Sequence, residues 1–464
     1  MRLFSWLRQR MGTNDLARSA RQRRSKEGQV PRVRPRLEFL EDRCVPSTLT
    51  VDHSWDNSAP PGTPAPQGTL EWAAGVAQNG DTIVITGAAV NQGIDLTHGE
   101  VILTQQGLTI ATAAGKSPAT INGDNNSRVF ELAPGAQVTL SNVIISGGNG
   151  VADNPASSAS DGEGGGIAVD SGATLTVNSC VFSGNNSSLS GGAIVNDGTL
   201  IVNSSTLSGD SASYGGGILN DFGGTATINC STLSGNAGGG IFNDGTLAVL
   251  GSTLSGNTGD GGIVNYRDGT ATISGSTLSG NSAAGRSGGG LLNYRTLTIV
   301  DSTVSGNSAY AGGGIANVGT LTINSSTLSG NSASFGGGIA TDGGTLIALG
   351  STVSGNSANS EGGGIFDQTG TLTISSSTVS ANSAPYGGGI FNNGYLTVSG
   401  CSVSANSAFV GGGIYNAATA TVTNSSTITG NSATYVADVF NGGILYEDGS
   451  SIIGMFSGNP AIPI

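Results

Sequence analysis

The chain has 464 residues, 79 of them glycine, with aromatic residues at 5%, charged residues at 10% and a formal net charge of −13. Apolar residues are spread regularly and no apolar run reaches the roughly 18 residues that would cross a bilayer, which argues against a charge-rich disordered chain and against a spanning helix. Residues 1–43 carry 12 Lys and Arg against 5 acids (+7), and the rest carry 5 against 25 (−20), so the acidic body would repel a phosphate backbone and nucleic acid is not expected as its partner.

Residues 1–46 form a basic segment without apolar periodicity, read as a disordered targeting segment. Within it, "PRLEFLEDRCVPS" resembles the LEPR-type motif of large bacterial extracellular proteins through Leu37, Glu38, Leu40, Glu41 and Arg43, with Asp42 where that motif has Pro. The resemblance implies export and an extracellular or cell-surface location. Residues 47–67 read as a strand (48–51) followed by a Pro/Gly linker.

In "GTLEWAAGVAQNGDTIVI" Thr69 is an N-cap, and Leu70, Ala73, Ala74 and Ala77 recur at helical spacing. The helix stops at Asn79-Gly80 and an alternating strand follows. This predicts a capping helix ahead of the first strand of a stack. The stretch also resembles the CSLREA-type N-terminal segment of bacterial β-helix proteins through Gly68, Leu70, Ala73, Ala77, Gly80, Asp81, Thr82 and Ile83, with Glu71 in place of the usual Arg. The N-terminal cap and irregular first coils occupy 68–149, and 150–163 is a polar loop.

From 164 to 445 one phrase recurs, as in "STLSGNSASFGGGI" (326–339). The residue closing each "LSGN" marks the register: Asn185, Asp210, Asn236, Asn257, Asn281, Asn307, Asn331, Asn356, Asn382, Asn406 and Asn431. A period of roughly 24–25 residues signals a solenoid, and Gly, Thr, Ser and Asn are too poor as helix formers for a helical repeat. In "GTLTIN" Leu321 and Ile323 point one way and Thr320 and Thr322 the other. Leu328 and Ile339 supply the inward residues of two more strands. The expectation is an all-β, single-stranded right-handed parallel β-helix, three strands per coil, with equivalent residues about 4.8 Å apart. Gly-Gly-Gly is expected at a corner needing positive φ and close backbone approach, and the Asn331-type and Asn317-type residues are expected to stack in ladders. Residues 446–464 form a C-terminal cap or tail.

The repeats resemble those of polymorphic outer-membrane proteins, with "GGAI" at 191–194 and "FSGN" at 182–185. That likeness covers 180–441 and implies a right-handed, pectin-lyase-like β-helix without implying an activity. Cys180, Cys230 and Cys401 lie in copies that are not neighbours, so no disulfide is expected between them.

Three surfaces could carry chemistry. Asp197, Asp221 and Asp244 follow the inward Ile of consecutive coils, with Arg267 and Asp268 one coil on. Such a column could hold Ca²⁺ through oxygen ligands, or serve a polysaccharide lyase or glycoside hydrolase, with Asp221, Asp244, Arg267 and Asp268 as its candidates. Asp before Gly is also ordinary turn chemistry, so no catalytic residue, metal or other cofactor is expected. A second surface is an outward threonine array, including Thr270, Thr272, Thr296, Thr298, Thr320 and Thr322, whose lattice resembles that of ice-binding β-helices, although Thr is also simply a good strand residue. The third is an outward apolar column, Phe242, Leu292, Phe366, Phe391, Tyr415 and Phe440, joined by Val195, Leu219 and Val264, which is either a strip shielded by its neighbours or a loop, or a face suited to a glycan or a cell-surface protein. The reading is a structural or adhesive, non-catalytic β-helix, with the lyase or hydrolase as first alternative and an ice-binding protein as second.

Overall fold

The computed structural model describes residues 45–55, 64–151 and 162–464. The LEPR-type residues, nearly all of the basic head and most of the 150–163 loop lie outside the described residues, as does part of the Pro/Gly linker.

The repeat folds as a parallel β-solenoid of about 14 turns. Three parallel sheets run its length, one of 17 strands and two of 15. Each coil contributes a three-residue strand of the I-x-N type (Ile315–Asn317), a five-residue strand of the T-x-T-x-N type (Thr320–Asn324) and a three-residue T-L-S strand (Thr327–Ser329). Each pairs with its counterpart one coil on, as in Thr320↔Thr345 and Leu328↔Val353.

Alternation decides what is buried. Ile315, Leu321, Ile323 and Leu328 are all fully buried, and their equivalents join one continuous core from Val51 to Leu445. Each fully buried aliphatic contributes about 1.5–3 kcal/mol, and no single coil could close this core alone.

Short turns join the strands. Between the T-x-T-x-N and T-L-S strands stands a residue with positive φ, such as Ser325 at 47° or Gly350 at 54°. A buried serine follows it. Ser326 donates to the Asn324 carbonyl at 2.7 Å, and its oxygen accepts the Ser302 N–H at 3.1 Å, so the hydroxyl satisfies two backbone groups per coil. Cys180 and Cys401 occupy this serine column, whereas exposed Cys230 takes the positive-φ position (46°) instead; all three are free thiols.

Two buried asparagine ladders form as expected. Asn307 Nδ2 donates to Asn331 Oδ1 at 3.0 Å and Asn331 Nδ2 to Asn356 Oδ1 at 2.9 Å. In the I-x-N ladder Asn293 Nδ2 donates to Asn317 Oδ1 at 2.8 Å. The triple glycine meets both parts of its expectation, at different residues. In the 238–240 triplet the second residue has positive φ as well as the first (Gly239, 99°), and in 336–338 only the first does (Gly336, 61°). The second and third are there because backbone fills the space: a Cβ would stand 2.3 Å from the Ser357 carbonyl oxygen at Gly337 and 2.6 Å from that of Gly364 at Gly338.

The capping helix α1 (Leu70–Val76) has Thr69 as its N-cap, with Oγ1 accepting the Trp72 N–H at 3.3 Å. It does not precede the first strand, because Thr48–Val51 already pairs in register with Thr82–Ile85. A second helix, α2 (Gly87–Gln92), was not evident from the sequence. At the other end the C-terminal segment keeps the coil pattern, with short strands at Ile444–Glu447, Ile452–Ile453 and Phe456–Gly458.

A fourth row of strands lies between SGN and GGG. Ser282–Ser287, Ser308–Ala311, Ser332–Phe335 and Ser357–Glu361 form a four-stranded parallel sheet, and isolated bridges carry the row on both sides. This row builds one wall of the feature described next.

Candidate binding groove

A groove runs along the I-x-N sheet. Its floor is the residue after the inward Ile, its first wall the fourth strand row and its second wall the turn after the buried Asn. It spans about ten coils, or roughly 45 Å at 4.8 Å per coil. Two basins of about 560 Å³ and 690 Å³ share Ser287, Leu292 and Tyr294 and so form one channel.

The floor is the outward apolar column, and part of it is shielded. Val195, Leu219 and Val264 are buried, and Val195 and Leu219 pack with Ala168 in a small cluster that Phe242 covers. The column is a shielded floor at that end rather than an open face. Towards the C-terminus Phe366, Phe391, Tyr415 and Phe440 stack ring on ring, with centroids 5.6, 5.0 and 4.7 Å apart; Phe391 and Tyr415 are within 9° of parallel. Stacked rings cover one another's faces and offer mainly edges to a ligand.

The first basin differs. Tyr214, Phe242, Tyr266 and Tyr294 come from the first wall, the floor and the second wall. Their successive centroids are 5.6, 5.2 and 5.5 Å apart, Tyr266 and Tyr294 meet at 90°, and Tyr214 and Tyr294 are exposed. Glu163, Asp221, Asp260, Arg267 and Arg286 add polar groups to the same basin. Arg286 pairs with Asp260, and the Arg267 guanidinium lies 5.2 Å from the Tyr266 ring centroid. Burial raises the Asp260 carboxyl and the Arg286 charge pulls it back.

The candidate residues read from the sequence divide here. Asp221 and Arg267 do reach the same basin. Asp244 instead serves its neighbour's turn, its Oδ1 accepting the Asp268 N–H at 2.9 Å. Asp221 Oδ1 likewise accepts the Phe222 N–H at 2.8 Å. Asp197 is pushed up to about 6 by burial and by the negative charges of Asp221, Glu163 and Asp170, as a file of stacked carboxylates requires. Among the described residues no three acidic, Cys or His side chains converge to hold a metal.

The threonine array stands in register over three coils, with Thr270↔Thr296↔Thr320 and Thr272↔Thr298↔Thr322. Ala248 and Ile347 bound the Thr272 file on either side. Thr is also a favoured strand residue.

The fourth-row aromatics were not singled out from the sequence. Tyr214, Tyr310, Phe335 and Tyr386 each stand one or two residues before a glycine triplet, and that placement is the signal that could have found them.

No family model, no curated protein and no solved structure matches this chain. The likenesses noted in the repeats and the N-terminal segment therefore reach as far as the parallel solenoid architecture.

Proposed function

We propose that this protein is a non-catalytic, surface-displayed β-solenoid that holds an extended glycan along the groove. The observation that carries the reading is the exposed aromatic surface at Tyr214 and Tyr294, interleaved with carboxylates and guanidinium groups along one continuous channel. Pyranose rings present apolar C–H faces and hydroxyl edges, and such a lining complements both. The repetition of coils offers many weak contacts in file, which suits adhesion. Location outside the cell rests on the LEPR-type motif. A glycan array followed by calorimetry on the best oligosaccharide tests the reading. Tyr294→Ala should weaken binding about tenfold, a change of ~1.4 kcal/mol; binding to no glycan at all would sink it.

The catalytic alternative draws on Asp221 and Arg267 sharing the first basin. Release of reducing or unsaturated ends from a bound polymer, abolished by Asp221→Asn, would favour it over pure adhesion.

A further inference from the structure

The second basin has a distinct chemistry. The floor shrinks there from Leu292 to Ala316 and Ala340 before rising again at Phe366, so a depression about two coils long opens in the groove. Tyr294, Tyr310 and Phe335 surround it, and the stacked pair Phe366 and Phe391 closes its far end with ring edges. Tyr310 and Phe335 meet edge to face at 5.6 Å, and Phe335 and Phe366 lie tilted at 5.4 Å, so the rings turn in different directions around the space. Its two acidic lining residues are Asp342 on one wall and Glu361 on the other, with no Lys or Arg in the lining. Glu361 sits in the fourth row between Phe335 and Tyr386, where the neighbouring coils place aromatic residues.

A cage of aromatic rings closed by carboxylates is a receptor for a cation: the ring faces attract positive charge and the acids neutralise it. Burial raises the Glu361 carboxyl, since no cation of the protein's own shares its site, and a bound cation would reverse that shift. The first basin lacks this character because Arg286 neutralises Asp260 there. The whole body, at −20, draws cations and repels anionic polymers.

We propose that the second basin seats a protonated amine of the bound polymer, so that the groove selects a glycan of amino sugars bearing free amines and rejects polyuronates. This rests on the glycan reading of the groove and adds its substrate class.

The test is calorimetric titration of the full chain with glucosamine oligomers, N-acetylglucosamine oligomers and galacturonate oligomers of equal length. The free-amine oligomer should bind about tenfold more tightly than the acetylated one, and the uronate most weakly. Glu361→Gln should erase the preference for the amine, so that the free-amine and acetylated oligomers bind alike. Unchanged thermal unfolding of the variant would confirm that the fold is intact. Asp342→Asn should reduce the preference in part. Equal affinity of amine and acetylated oligomers, tighter uronate binding, or a preference that survives Glu361→Gln overturns the amine site while leaving the groove a glycan site. Binding of none of the three oligomers overturns both, and a lysine-rich peptide that binds where the amino-sugar oligomer does not assigns the cage to protein.

Discussion

Glycines spelled alike in the repeat do different physical work. In SGN, Gly330 has φ 64° and open space where a Cβ would go. Ala381 and Ala405 hold that same position in later coils at φ 56° and 55°. In GGG, a Cβ on Gly337 would strike the Ser357 carbonyl. Gly330→Ala should therefore cost about 1–2 kcal/mol, whereas Gly337→Ala should cost more than about 3 kcal/mol by forcing coils apart. Urea unfolding midpoints of the two variants measure the contrast.

Asp210 is a second single-residue test. It replaces asparagine in the SGN ladder, fully buried, with Oδ1 accepting from Asn185 Nδ2 at 2.9 Å and Oδ2 lacking a partner. A proton on Oδ2 supplies the donor that an asparagine amide has, and burial pushes the group up to about 7. With 3.8 as the ordinary value, the unfolded chain releases this proton first. Stability is then complete below about pH 4 and is lost as pH rises towards 7, by on the order of 1.4 kcal/mol per unit. Asp210→Asn should remove that decline, so the variant melts above the wild type at pH 8 and level with it at pH 4. Asp367, raised to about 6 mainly by burial, should behave likewise in the other ladder.

At the level of strands, hydrophobic alternation made most of the architecture legible. Leu321, Ile323, Leu328 and Ile339 all point inward as their period of two predicts. Leu328→Ala should cost about 2–5 kcal/mol, because neighbouring coils hold the cavity open; differential scanning calorimetry would record the fall. The fourth row was harder to read. "SASF" alternates over only four residues and its inward residue is just Ala333, so its pattern barely separates a strand from a turn. Its pairing comes from the coils beside it, a tertiary cause. The groove was half legible for the same reason. Phe242 and Phe366 showed as an outward column, but the walls that make it a channel needed the fourth row to be placed. The ring orientation that hides the faces of Phe391 and Tyr415 has no sequence signal at all.

Across the whole molecule, each coil touches chiefly the coils above and below, so stability is close to a sum over neighbours. Removing residues 308–331, one 24-residue period between Asn307 and Asn331, joins equivalent positions and leaves every column in file. The shortened chain should fold with an unchanged far-ultraviolet spectrum and a slightly shorter scattering envelope. Removing half that length would put aliphatic residues against turns and should prevent folding.

The SGN ladder also has a direction. From Asn236 through Asn406 each amide donates one N–H to the Asn Oδ1 of the next coil, and the amide-to-amide bonds all run that one way, while the second N–H returns to a backbone carbonyl of the preceding coil, as from Asn307 Nδ2 to the Leu278 carbonyl at 3.0 Å. Their dipoles therefore align head to tail, and partial positive charge accumulates where the file ends. There the last amide meets Asp438, whose Oδ1 lies 2.9 Å from Asn431 Nδ2. The carboxyl group of Asp438 thus accepts at the electropositive pole of a buried polar filament, taking the Asn431 N–H and Nδ2 on one oxygen and the Met455 N–H on the other, as a capping side chain does at the amino end of a helix.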